Sequence, residues 1–382
     1  MIMQAIVGAR ILAGGIWQDD HAVVVVDDKI ESVIHAADIP ANAQVHQLSG
    51  GMLVPGFIDT QVNGGGAVLF NDQPTVDGIA AIAKAHRRYG TTGMLPTLIS
   101  DDLEVVASAI GAVDAAIAAG IPGILGIHIE GPFLNAGKCG IHDSGKFRTL
   151  NNAAVTLLSS LKNGKTLVTL APELAPAGTI AALVANGVIV AAGHTLASYD
   201  DMERGVSEGL SGVTHLFNAM TQLDSRAPGA VGAALDTHLT CGIIVDGHHV
   251  HPASLRAAYR VKGLQGLMLV TDAMPTVGSD VRNFRLGDIN VVAENGTLRS
   301  PAGTLAGSDL DMASAVRNCV NMMQVDLAAA CQMASQTPAS FLGLADACGR
   351  IEQGYRADMA HIDDEMEVRA TWIAGKMEQT RN

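Results

Sequence analysis

Hydrophobic positions along this chain fall in short blocks. Eight runs stand out: GFIDTQVN, TGMLPTLIS, GILGIHIEG, TLVTLAPE, VIVAAGHT, GVTHLFNAM, TCGIIVDGHH and LMLVTDAMP. Each is aliphatic or β-branched and bounded by Gly, Pro, Asp or Asn, the signature of a buried strand. Between most of them lie segments with apolar residues at helical spacing, such as VDGIAAIAKAHRRY, LEVVASAIGAVDAAIAA, TIAALVANG and ASLRAAYRV. Alternating strands and helices predict parallel pairing through right-handed crossovers. Eight such units predict an α/β fold of the closed (β/α)8 barrel type, a TIM barrel. No GxGxxG opens a helix after a strand and no GxxxxGK[ST] occurs, so phosphate-cradling nucleotide folds lose support.

The two ends have a different texture. AIVGARILAGG, AVVVVDD and KIESVIHA near the start, and GRIEQGYRADMAHID and EVRATWIAGK near the end, are short β-type runs. Residues 1–54 and 344–382 are therefore expected to build a small β-sandwich domain from both termini, with 55–343 forming the barrel. MIMQAIVGARILAGG has no basic flank and no long apolar core, so it reads as a first strand and not a signal peptide. NFRLGDINVVAENGTLRS predicts a hairpin turning at Asn295-Gly296, followed by helices over about 308–324 and 326–341. His86-Arg87-Arg88 is expected to be a solvated helix end.

Four of the apolar runs end in a polar residue of the metal-site type: Glu130, His194, His215 and Asp272. In a (β/α)8 barrel all strand C-termini open onto one face, so residues distant in sequence meet there. A strand-end His taken singly is more often a hydrogen-bonded structural residue, and Asp272 alone could be a helix cap. Together, Glu130, His194 and His215 supply the three protein ligands of an open catalytic site. Asp272 supplies a carboxylate able to take a proton from an activated water and return it to a leaving group.

Bulk properties narrow the function classes. The chain has 382 residues, of which 48% are hydrophobic and only 16% charged, enough for a large core. A formal net charge of −14 argues against non-specific nucleic-acid binding, and an anionic substrate would need local cations. No apolar run is long enough to span a bilayer. The five cysteines are scattered without CxxC spacing, which predicts free thiols and a cytoplasmic setting.

PGFIDTQVNG, TTGMLPTLIS, HIEGPFLN, GIHD, LAPE, AAGHT, THLFNAM, the RAPG at Arg226, DGHHV, VTDAMP, GTLAGS and the closing ADMAHID resemble, in order and over nearly the whole chain, the amidohydrolase superfamily. Within it, they resemble the N-acetylglucosamine-6-phosphate deacetylases. Most amidohydrolases carry His-x-His after the first barrel strand; here that stretch reads Gln61-Val62-Asn63, and no Lys follows the fourth strand. The resemblance therefore implies a single-metal enzyme. It implies one divalent ion per chain held by Glu130, His194 and His215; the donor set favours Zn2+ and admits Fe2+, Mn2+ or Co2+. Asp272 would be the general acid/base. His142 would meet the acetamido carbonyl. Asn218 and Ala219 would line the sugar site, and Leu305, Ala306 and Gly307 would approach the sugar through backbone groups. Arg226 and His249 would bind the 6-phosphate, with Arg226 reaching the neighbouring active site of a homodimer.

The implied reaction releases acetate from N-acetylglucosamine 6-phosphate. A galacto epimer, another N-acyl substrate, or a non-catalytic barrel that lost its metal remain as alternatives. His128, two residues before Glu130, is either support for a ligand or a packed core residue. His248 and His251 stay unassigned. Glu173 reads as structural, and the Met-rich stretch near 320 reads as helical core.

Overall fold

The computed structural model describes residues 2–380. Eight parallel strands form one sheet in sequential order: β1 (Phe57–Val62), β2 (Thr91–Ile99), β3 (Gly126–Glu130), β4 (Lys165–Leu170), β5 (Ile189–Ala192), β6 (Gly212–Val213), β7 (Thr240–Ile243) and β8 (Leu267–Leu269). The chain just past β8 returns to β1. A parallel bridge joins Val62 to Ala273, and Asp272 N–H donates to the Gln61 carbonyl at 2.9 Å. These contacts close the barrel. All eight strand-like runs of the sequence coincide with these strands.

Strand alternation divides each strand between two layers. On β3, Ile127 and Ile129 belong to the main apolar cluster, which also holds residues of the flanking helices such as Val106, Val113 and Leu158. His128 belongs to a chain of polar contacts: its Nε2 lies 2.7 Å from Thr169 Oγ1, its Nδ1 lies 3.4 Å from Thr97 Oγ1, and Thr169 Oγ1 lies 2.6 Å from Thr214 Oγ1. Burial pushes His128 down to about 4, so the ring is neutral. It is a packed, hydrogen-bonded core residue one layer below Glu130.

Two further sheets, built from strands of both ends of the chain, pack into a sandwich. One contains Lys29–His35, His21–Val26, Met3–Val7 and Gln44–Gln47; the other contains Lys376–Gln379, Val368–Ile373, Met359–Ile362, Met52–Pro55, Arg10–Ala13 and Ile16–Gln18. Ile6, Ile11, Val23, Val25, Leu53, Met359 and Trp372 fill the space between them. Met1, Arg381 and Asn382, assigned by sequence to this part, lie outside the described residues.

Two expectations need correction. His86 is fully buried, not solvated: its Nε2 lies 2.9 Å from the Gly64 carbonyl oxygen, and burial pushes it down to about 4. Arg87 beside it crosses to the terminal sheet, donating to Thr371 Oγ1 at 3.0 Å and the Lys376 carbonyl at 2.8 Å. Arg88 alone is exposed as expected; contacts with distant segments, which local sequence cannot place, hold the other two. The segment after β8 also makes more than one hairpin. Asn283–Leu286, Ile289–Glu294, Thr297–Arg299 and Leu305–Ser308 form a four-stranded antiparallel sheet. Asn295 (φ 51°) and Gly296 (φ 74°) make the expected left-handed turn. Leu286, Val291, Leu298 and Ala306 pack this sheet onto Leu69, Ile99 and Met274 at the strand ends.

Candidate active site

The barrel's C-terminal face holds the three ligand candidates together. Glu130 ends β3, and His194 and His215 follow β5 and β6. Glu130 Oε1 lies 3.1 Å from His194 Nε2 and 3.0 Å from His215 Nε2, and the two nitrogens are 3.0 Å apart. All three side chains are buried, and their ligating atoms lie within 4.8 Å of one another. Backbone strain accompanies them. His194 (φ 49°), His215 (φ 31°), Phe217 (φ 80°), Ala219 (φ 49°) and Asp272 (φ 54°) all adopt left-handed conformations without being glycine. Such conformations cost about 1–3 kcal/mol each and cluster where a side chain must be aimed.

The donor set fits a divalent metal. His194 Nδ1 lies 2.8 Å from the Lys138 carbonyl oxygen, which can only accept, so Nδ1 carries a proton and Nε2 is the atom left to hold a metal. That nitrogen faces a carboxylate oxygen and a second imidazole nitrogen at hydrogen-bond range. A carboxylate oxygen and two ring nitrogens so close require a cation or shared protons between them. Burial alone would push Glu130 up, but its bonds to His194 and His215 hold it well below the ordinary carboxylate range, so it is anionic.

Asp272 is gripped from one side. Its Oδ1 accepts from Asn63 Nδ2 at 2.6 Å and Gln61 Nε2 at 3.2 Å; the same Gln61 nitrogen donates to Glu130 Oε2 at 3.0 Å. Oδ2 makes no hydrogen bond to another described residue and faces the pocket. The two residues that depart from His-x-His thus form an amide clamp joining Glu130 to Asp272. Beneath them, Asp59 accepts from the Gln61 backbone N–H at 3.1 Å and from Thr271 Oγ1 at 2.5 Å, tying the end of β1 to the end of β8. Burial first, then the Glu130 charge, push Asp272 up to about 6.

His142, expected after β3, lies buried beside the ligands, with Nε2 4.0 Å from Glu130 Oε1. The Ser100 backbone N–H donates to its Nδ1 at 3.3 Å, and Ser100 Oγ lies 2.8 Å from the same atom. With Nδ1 accepting, the ring proton sits on Nε2, on the ligand side. Burial first, then the His194 charge, push His142 down to about 3, so it stays a neutral donor.

Asn218, Ala219, His249, Leu305 and Gly307 line the same pocket as the ligands, Asp272 and His142. Gly307 has φ +62°, and an added Cβ would stand 2.8 Å from the Asp272 carbonyl oxygen, so only glycine permits this approach. Ala306 alternates away from the pocket into the core beneath the hairpin sheet. Arg226 is not brought in: it is exposed on the loop before Gly229–Asp236. His248 is exposed, and His251 caps the helix Pro252–Gly266 by accepting from Ala253 N–H at 3.2 Å. Glu173 is structural: Oε1 accepts from Asn135 Nδ2 at 2.9 Å and Leu196 N–H at 2.7 Å, and Oε2 accepts from Thr195 Oγ1, fixing the turn that carries His194. Gln61 and Asn63 as clamps, and Ser100 behind His142, were not anticipated. Period-2 alternation along FIDTQVN, which puts Asp59, Gln61 and Asn63 on one face, is the signal that could have found the first two.

A closed parallel barrel with a Glu-His-His cluster and an adjacent carboxylate at its C-terminal face defines a metal-type hydrolase. Comparison with known proteins agrees. The model of the amidohydrolase family matches residues 52–377, and that of the NagA composite domain matches residues 3–53. An N-acetylgalactosamine-6-phosphate deacetylase of Shewanella sp. (strain ANA-3) is 46% identical, over 97% of this chain and 94% of that protein. The crystal structure of an N-acetylglucosamine-6-phosphate deacetylase from Pasteurella multocida superposes with a TM-score of 0.96 at 34% identity, covering 99% of this chain and 100% of that one. A mutant N-acetyl-D-glucosamine-6-phosphate deacetylase from Mycobacterium smegmatis, in complex with N-acetyl-D-glucosamine-6-phosphate, superposes with a TM-score of 0.91 at 31% identity, covering 99% of each chain. The chain belongs to the amidohydrolase family and, within it, to the amino-sugar-phosphate deacetylases.

Proposed function

We propose that this chain hydrolyses the acetamide of an N-acetylhexosamine 6-phosphate, giving acetate and the amino-sugar 6-phosphate. One observation carries the reading: Glu130, His194 and His215 converge beside a carboxylate, Asp272, whose free oxygen faces the same buried pocket. Glu130, His194 and His215 would hold one divalent ion, Zn2+ by its donor set. When bound, such an ion supplies Lewis acidity and lowers the pKa of water from about 15.7 toward neutrality. Asp272 Oδ2 takes the proton of the attacking water and hands it to the departing nitrogen. The Asn63 and Gln61 amides keep Oδ1 fixed during both transfers. His142 Nε2–H donates to the acetyl oxygen as charge develops there. Replacing His142 by Ala is expected to lower kcat by roughly 10²–10³, the usual cost of one such donor; an unchanged kcat removes it from this role.

The pH profile follows from the same geometry. Asp272 must be ionised to act as base, and burial and Glu130 push it up to about 6. A divalent cation nearby acts in the opposite direction. The acid limb of kcat/KM is therefore expected at or below about pH 6. A limb above pH 7 in the metal-loaded enzyme contradicts this assignment.

For the sugar, the gluco epimer is the first reading, as in the two solved relatives at 34% and 31% identity. The galacto epimer is the second, supported by the relative at 46% identity. His249 in the pocket supports recognition of a phosphate. Acetate release from both epimers, with and without the 6-phosphate, decides. Phosphorylated sugars are expected to be favoured by roughly 10²-fold or more, since charge-assisted bonds contribute about 1.5–3 kcal/mol each. Equal rates without phosphate overturn the substrate class.

Arg226 would complete the phosphate site from a second copy. Its exposed loop, with Leu223 59% exposed, supports a homodimer. Mixing Arg226→Ala with Asp272→Asn gives hybrid dimers in which one site regains both groups if the Arg crosses over. Activity reappearing on mixing is the expected result; none appearing contradicts the crossover. No described helix is long and apolar enough to cross a membrane, and all five thiols are free, which supports the cytoplasmic setting.

A further inference from the structure

His249 enters the pocket from the loop after β7, and Asp246 on that loop holds it. Asp246 Oδ2 lies 2.6 Å from His249 Nδ1, and Oδ1 accepts from the backbone N–H groups of His248 and His249 at 2.8 Å each. Both side chains are 7% exposed. The loop is fixed from behind, where Asn318 Nδ2 donates to the Val245 carbonyl at 2.8 Å. His249 Nε2 makes no hydrogen bond to another described residue, and the ring lines the pocket.

This arrangement limits what His249 can offer. A carboxylate only accepts, so the ring nitrogen facing it carries a proton. A neutral ring would then present a lone pair at Nε2, which repels an anion. Only the doubly protonated ring presents an N–H to phosphate. A buried imidazolium needs a counter-charge, and Asp246 is in place to supply it.

We infer that Asp246 is the positioning residue of the phosphate subsite: it orients His249 and neutralises the ring's charge, so that Nε2–H meets the phosphate of the substrate. The inference rests on the phosphosugar reading above and deepens it. The hydrogen bonds of Asp246 go to His248 and His249 and not to Glu130, His194, His215 or Asp272, so its effect is expected in phosphate recognition and not in the chemical step.

The test uses the metal-loaded enzyme and Asp246→Asn, which keeps a carbonyl oxygen for the backbone N–H groups and removes both the charge and the acceptor facing His249 Nδ1. With the phosphorylated N-acetyl sugar, KM is expected to rise about tenfold to a hundredfold, the range for one charge-assisted bond, with kcat nearly unchanged. With the unphosphorylated sugar, kcat/KM is expected to stay the same. In a His249→Gln background the Asn substitution is expected to add little, because the two residues act as one unit. An equal loss on both sugars, a fall in kcat alone, or full additivity with His249→Gln overturns the inference. Binding of glucose 6-phosphate, which has no acetamide, separates the two levels. If it binds and weakens in Asp246→Asn while neither N-acetyl sugar releases acetate, the deacetylase reading fails and the role of Asp246 stands. If acetate is released as proposed and Asp246→Asn changes neither binding nor KM, the role of Asp246 fails alone.

Discussion

Asp272→Asn should lower kcat by roughly 10²–10⁴, the range for losing a positioned general acid/base, while KM and metal content stay near normal. The substitution is close to isosteric. The Asn side-chain oxygen can still accept from Asn63 and Gln61, which hold Oδ1 of the native residue at 2.6 and 3.2 Å. Asn also tolerates the φ of 54° found at this position better than most residues, so backbone strain should not rise. What disappears is the second carboxylate oxygen, the atom proposed to take a proton from water and return it to nitrogen. Steady-state kinetics with a metal assay on the same sample checks the result. Near-normal turnover would show that another group moves the proton. Loss of the metal together with activity would make Asp272 a ligand and not a base.

Glu130→Gln should have an effect of the same order or larger, by a different route. Glu130 Oε1 is the point shared by His194 and His215, and its Oε2 takes a bond from Gln61. The amide keeps the shape but loses the charge, and its –NH₂ end would meet either the imidazole nitrogens or the Gln61 donor. Metal stoichiometry is expected to fall from about one per chain to near zero. Activity is expected to fall by more than the roughly 10–100-fold seen when only an outer partner of a ligand is lost. Elemental analysis of wild type and variant prepared side by side measures this. A variant that keeps a full complement of metal would remove Glu130 from the ligand set.

The architecture was largely legible because barrel strands and helices write different periods into the chain. All eight strands and the Glu130, His194, His215 and Asp272 strand ends could be placed from apolar runs closed by one polar residue. The Asn295-Gly296 turn could be read because its two left-handed residues have a composition signature. What could not be read depends on contacts between distant segments. His86 looks like part of a basic, solvated helix end; it is buried because Gly64, 22 residues earlier, brings its carbonyl to the ring. Gln61 and Asn63 were visible as departures from a family pattern. Their role as a clamp on Asp272 appears only when β8 closes against β1. Alternation along Leu305–Ser308 turns the Ala306 side chain into the core while Leu305 and Gly307 line the pocket, which leaves Ala306 only its backbone groups for the approach expected of it. Arg226, expected at the phosphate, is not among the residues that one chain brings to the pocket.

The most direct test of the account is acetate release from N-acetylhexosamine 6-phosphate by the purified enzyme, followed through removal of its metal by a chelator and restoration with Zn2+. Release that is lost on chelation and regained at about one ion per chain is the expected result, as one three-ligand site requires. A metal-replete enzyme that releases no acetate from either epimer, or release that continues undiminished without metal, would contradict it.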